Sequence, residues 1–189
     1  MTQKNILDVA HITAAEVKNA QAWFDNKAAE MTKLRVTPAR LLKEAGTNLT
    51  HNIIPGRMYC FMYDPKNKET LPYYDTFPLV IPFGRDKSSF IGLNFHYLNY
   101  KDRMFVFREL LKISGNTALT DTTKIKYTWE IAMRASTNKF AKVCVKRYLY
   151  SHVGSPFMAV QPNDYHTILM LPVQRFVGAT NSRVWSQVR

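Results

Sequence analysis

Two histidines and one cysteine are the side chains whose types and settings could carry chemistry. His96 in "NFHYL" and His152 in "YSHVGS" each sit among polar and aromatic neighbours, where an imidazole can move a proton or bind a metal. Cys144 lies between Lys142 and Lys146, whose positive charge favours a thiolate. Each also has a structural reading. A histidine at the rim of a core is held by hydrogen bonds, and Cys144, alternating with Val143 and Val145, reads as a buried, inert thiol. His11, His51 and His166 are scattered, and Asp75, Asp86, Asp102, Asp121 and Asp164 follow no metal-binding spacing. The chain carries no phosphate loop, dinucleotide fingerprint, nucleophile elbow or Cys-x-x-Cys pair. The expectation is a protein without enzymatic activity, catalytic residues, cofactor or metal.

Charge is more informative. The 189 residues hold 26 Lys and Arg against 14 Asp and Glu, a formal net charge of +12. The excess lies mostly beyond residue 100, where Arg134, Lys139, Lys142, Lys146 and Arg147 follow one another with no intervening acid. Such a balance favours a polyanionic partner such as nucleic acid or an anionic membrane surface, although a basic face can equally be solvated or meet acidic protein. In "NKFAKVCVKRYLYSH" the cations are interleaved with Phe140, Tyr148 and Tyr150. Cations neutralise phosphates and exposed aromatics stack on unpaired bases. Lys139, Lys142, Lys146 and Arg147 are therefore the leading phosphate-contact candidates, followed by Arg134, Lys124 and Lys126. With no helix-turn-helix, zinc-finger or RNP pattern beside them, contact with the backbone rather than base readout is expected.

These residues must be positioned by a fold, and the chain is long enough for one domain with a real core. Thr13 and Glu16 form a capping box ahead of Val17, Ala20, Phe24, Ala28 and Met31 at helical spacing, with Trp23 widening the stripe. That helix either joins the core or docks on another chain, with Trp23 and Phe24 as the interface. Pro38 to Glu44 reads as a second helix ended by Gly46, and Pro55-Gly56 marks a boundary. Beyond it "RMYCFMYD" reads as a strand and "PKNKET" as a turn. "LPYYDTFPLVIPF" reads as an edge strand broken by Pro72, Pro78 and Pro82. "FIGLNFHYL" is a third strand, and a helix is expected from Asp102. "KIKYTWEI" alternates Ile125, Tyr127 and Trp129 as a half-buried strand does. "VCVKRYLYSHV" fits helix or strand, "SPFMAV" reads extended, and "NDYHTILML" is a short element capped by Asn163 or Asp164. The polar end "ATNSRVWSQVR" reads as a tail that orders against a partner through Trp185.

The expected architecture is α+β. An N-terminal helical arm covers 1–55, and a core over 56–180 holds a small antiparallel, barrel-like sheet with two or three packed helices. A tail covers 181–189. Cys60 and Cys144 lie in apolar stretches rather than a disulfide framework, which fits a reducing compartment. Neither a signal peptide nor a membrane span is expected, and no membrane partner.

Five blocks also carry a resemblance: "AWFDNKA", "GRMYCFMYDPKNKETLPYYDTFPLVIPF", "GLNFHYL", "VKRYLYSHVGSPFMAV" and "LPVQRFVGATNSRVW". In this order, over about residues 20–185, they resemble a family of small virion proteins of T4-like contractile-tailed bacteriophages, described as DNA end protector or head-completion proteins. The resemblance implies a non-enzymatic virion component without cofactor, made in the bacterial host cytoplasm and placed at the head–tail junction. There it would bind and shield the ends of packaged double-stranded DNA, next to portal, neck, tail or baseplate proteins. The alternative it implies is a purely structural tail or baseplate subunit docked on neighbouring virion proteins. No residue role comes with the resemblance, so the basic candidates rest on charge alone.

Overall fold

A computed structural model describes residues 26, 30, 33, 36–99, 102–103, 110, 116, 118–137 and 141–187. The helix expected over residues 13–31, including Trp23 and Phe24, lies outside the described residues apart from Asn26 and Glu30, which are helical. Lys139 and Phe140 also lie outside them.

The first described helix, α1 (Pro38–Glu44), begins as its sequence dictates. The Thr37 hydroxyl accepts from Arg40 N at 3.2 Å, and Pro38 occupies the first turn, where its missing N–H is no loss. Gly46, at φ 51°, turns the chain out of the helix.

Among the described residues eight strands follow: β1 (Leu49–Thr50), β2 (Tyr59–Cys60), β3 (Tyr74–Asp75), β4 (Leu79–Arg85), β5 (Ser89–Asn94), β6 (Val145–Leu149), β7 (Phe157–Ala159) and β8 (Phe176–Val177). Six of them form one sheet in the order β1-β7-β2-β4-β5-β6, with every pairing antiparallel. The other two, β3 and β8, make a separate antiparallel pair. This is the expected α+β class, but among the described residues the sheet does not close: β1 and β6 are its two edges, so the barrel-like form is not seen there.

Alternation along the strands separates two cores. Met58, Cys60, Leu79, Ile81, Leu93 and Met158 face one side, together with Leu41 of α1. The helices α2 (Asp121–Thr137), α3 (Tyr165–Met170) and α4 (Asn181–Ser186) contribute Ala132, Ile168, Leu169 and Val184 to the same side. Tyr59, Phe61, Val80, Phe90, Tyr148 and Phe157 form the opposite core. Phe61 is its hub, edge-on to Phe90, Tyr148 and Phe157 with centroids 5.0 to 5.7 Å apart. Each such pair adds about 0.5–1.5 kcal/mol beyond the area it buries.

Three segments depart from the sequence reading. Leu79–Arg85 is not an edge strand: β4 lies between β2 and β5, with Leu79, Val80 and Ile81 fully buried. Pro82 is accommodated because the β4–β5 register shifts between Pro82 and Gly84, at a bulge where no ladder donor is required. Residues 124–131 are helical rather than a strand. Thr120 caps α2 by accepting from Thr123 N, and the residues facing inward are Lys124, Thr128 and Ala132, four apart. Trp129 anchors the helix to β4 by donating to Phe83 O at 3.0 Å. The C-terminal segment does not wait for a partner. Its helix α4 is capped by Thr180, buries Val184 completely, and ties Trp185 Nε1 to His96 O at 2.9 Å.

Among the described residues no helix is long and apolar enough to cross a membrane.

Candidate nucleic-acid interface

Three of the exposed cations, Arg85, Lys87 and Arg147, lie where β4 turns into β5 and where β6 runs beside it. Asp86 builds the turn. Its Oδ1 accepts from Ser88 N at 2.8 Å and Ser89 N at 2.7 Å, and its Oδ2 accepts from the Ser89 hydroxyl at 2.8 Å. The Ser88 N–H and the Ser89 hydroxyl hold the carboxyl well below its ordinary range. Across the β5–β6 register, which sets Arg147 opposite Ile91, the Arg147 guanidinium reaches the same turn. It donates from Nη1 to Asp86 Oδ2 at 3.2 Å and to Ser89 Oγ at 3.0 Å, while its side chain remains 58% exposed. Arg85 and Lys87 flank Asp86 and are exposed, with Arg85 Nη1 donating to Ile53 O at 2.9 Å. Tyr150 closes the group. Its N–H bonds Ser88 O at 3.0 Å, and its half-buried ring leans on Phe90 at 5.5 Å.

The other candidates are placed differently. Lys146 turns inward: its Nζ lies 4.2 Å from the centroid of the Tyr97 ring, a cation–π contact, and burial pushes its pKa down. Lys124 is 8% exposed on the inner side of α2. Lys126 and Arg134 are exposed on α2, eight residues apart and so on one stripe, and Lys142 is exposed on the turn ahead of β6. Tyr148 is a core residue, its hydroxyl accepting from Asn94 Nδ2 at 3.0 Å, so among the described aromatics of that stretch it is Tyr150 that approaches the surface.

Sequence reasoning missed Arg85 and Lys87. The available signal was their position in "GRDKSS", a charged turn between two apolar strands; what joins them to Arg147 is a register spanning 60 residues.

His96, His152 and Cys144, the side chains singled out for reactivity, are held by the fold in different ways. His96 and Asp75 are fully buried, Nδ1 to Oδ2 at 2.7 Å, and the carboxylate also accepts from Phe77 N at 3.0 Å, Arg175 N at 3.2 Å and Asn94 Nδ2 at 3.3 Å. Burial pushes the Asp75 carboxyl up, but His96 and the two backbone N–H groups outweigh it, so the group ionises below the ordinary carboxylate value. Burial lowers the pKa of His96 despite the opposing Asp75, and against the ionised carboxylate its Nδ1 is the donor. Its buried Nε2 has no hydrogen-bond partner, as suits an unprotonated nitrogen. His152 bonds Asp64 O at 2.8 Å. Burial pushes the Cys144 thiol up to about 12, overriding the nearby Lys146, which is the inert reading rather than the thiolate one. Among the described residues no three His, Cys, Asp or Glu side chains are grouped to hold a metal ion.

The family model of the phage T4 terminal DNA protecting protein matches residues 7–188. The chain belongs to this family. The match covers nearly its whole length, from the segment ahead of α1 through α4, and agrees with the resemblance carried by the five sequence blocks. No characterised relative and no solved structure matches the chain.

Proposed function

We propose that this protein is a non-enzymatic bacteriophage virion component that binds and protects the ends of packaged genomic DNA at the head–tail junction. The observation that carries the reading is the match over residues 7–188 to a terminal DNA protecting family. The charge of +12 supports it, because a duplex end is a dense array of phosphates. Arg147, Lys142, Lys126 and Arg134 are the proposed phosphate contacts, with Lys139 added on its position in the basic run. Lys146 and Lys124, whose side chains lie inside, contribute through the field of the molecule rather than by contact.

Challenge with an end-dependent exonuclease tests the reading. Linear duplex incubated with the protein should resist digestion once each end has received a molecule, and internal cutting by an endonuclease should continue. Digestion at the unprotected rate with saturating protein would contradict it.

A second role, docking on portal, neck, tail or baseplate proteins, is favoured by the β3–β8 pair. Leu71 just before β3 is 42% exposed and Val177 in β8 is 45% exposed, apolar surface that a neighbouring subunit would cover. Co-assembly with virion proteins in the absence of DNA, lost on Leu71→Ser with Val177→Ser, tests that role.

A further inference from the structure

We propose that the β4–β5 turn is the seat of the duplex terminus itself: Arg85, Lys87 and Arg147 take the phosphates of the last steps while the Tyr150 ring stacks on the end base pair. This rests on the DNA-end reading and adds to it a place and a means of telling an end from an interior.

Three features make the turn suited to the task. First, it is rigid before any ligand arrives. Asp86 is held by Ser88 and Ser89 through both backbone and hydroxyl donors, and Asp86 N donates back to Ser89 O at 2.8 Å. Cations mounted on an ordered turn lose little freedom on binding.

Second, the charge balance leaves capacity for an anion. Asp86 is already engaged by four turn donors and Arg147, whereas the turn and its neighbour hold three cations against this one carboxylate. Arg147 reaches Asp86 with Nη1 and is more than half exposed, so its guanidinium retains donors for a phosphate oxygen.

Third, the turn has an aromatic beside it that is neither free nor lost in the core. Tyr150 is half-buried and backed by Phe90, which is itself packed edge-on against Phe61 at 5.7 Å and Phe157 at 5.9 Å. A supported ring at the rim can meet the flat face of a base pair, and only a terminus exposes that face. Phosphate contacts alone would bind the interior of a duplex as well as its end. The ring supplies the discrimination.

The test compares the affinity of the full chain for blunt linear duplex with that for the same sequence as a covalently closed circle. Wild-type protein should prefer the linear form. Tyr150→Leu should reduce the linear-to-closed ratio by about 5- to 150-fold, the range of one base–aromatic stack, and Tyr150→Phe should restore it. A ratio kept by Tyr150→Leu overturns the seat while leaving the DNA-end reading intact. No preference in the wild type removes that reading as well. Should Tyr150→Leu fail to fold, the double variant Lys87→Gln with Arg147→Gln, both at exposed side chains, decides. It should lower the slope of log affinity against log salt on linear duplex by about 2, and an unchanged slope overturns the assignment.

Discussion

His96 Nδ1 lies 2.7 Å from Asp75 Oδ2, and both side chains are sealed from solvent. The contact joins the segment after β5 to β3, and through Arg175 N it reaches the chain entering β8. Burial holds His96 below its ordinary value of 6.5, and the bonds to Asp75 hold that carboxyl below its ordinary 3.8. Both folded-state values therefore lie below the unfolded ones, so the unfolded chain takes up protons first as pH falls. Stability is fully present above about pH 6.5, declines below it through His96, and declines further below about pH 4 through Asp75. Urea midpoints measured downward from neutral pH should fall in this way, and His96→Gln should remove the first portion. A midpoint that does not move with acidification contradicts the assignment.

The carbonyl of His96 accepts from Trp185 Nε1 at 2.9 Å and from Arg103 Nη2 at 3.1 Å. With Val184 fully buried, α4 is part of the folded core. Trp185→Phe, which loses one hydrogen bond, should cost about 1 kcal/mol. Deleting residues 181–189 should cost about 3 kcal/mol or more. A truncated chain with an unchanged urea midpoint would show that this helix stabilises nothing.

Gly56, at φ 89°, donates its N–H to Pro82 O at 2.7 Å and passes directly beneath α2. A Cβ there would meet Trp129 Cβ at 2.7 Å and collide with the Ile125 carbonyl. Gly56→Ala combines a strained backbone with displacement of α2 and should cost about 2–4 kcal/mol. Thermal denaturation reads it directly; a shift in Tm no larger than that of an exposed surface substitution would contradict this packing.

Both cysteines are free and buried, and burial raises the thiol pKa of each, that of Cys144 to about 12. A thiol reagent that requires the thiolate should label neither in the native protein at neutral pH and both after unfolding. Rapid labelling of Cys144 in the native state would restore the reactive reading.

The parts of the fold legible in the sequence were those fixed by local chemistry. Pro38 and Gly46 bounded a helix through backbone φ alone, and "SPFMAV" read as extended where β7 lies. Other parts depended on partners distant in sequence. Pro82 argued against a central strand because the bulge opposite Gly92 is a property of the pairing, not of the prolines. Ile125, Tyr127 and Trp129 suggested a period of two because the inner stripe of α2 carries Lys124 and Thr128, polar residues that hide a helical pattern. Of the candidate contacts, Arg147 was visible as charge. That Lys146, its neighbour, faces Tyr97 instead was not, since adjacent residues on a strand diverge and the sequence does not say which one is outside.

The most direct test of DNA-end binding is the affinity of the wild-type chain for linear and covalently closed duplex of the same sequence across a salt series. If about 6–10 phosphates are neutralised, affinity for the linear form should fall by about 10³–10⁵ between about 50 and 200 mM salt, and the linear form should be preferred throughout. Negligible binding near physiological salt, or equal affinity for the two forms, would contradict a role at DNA ends.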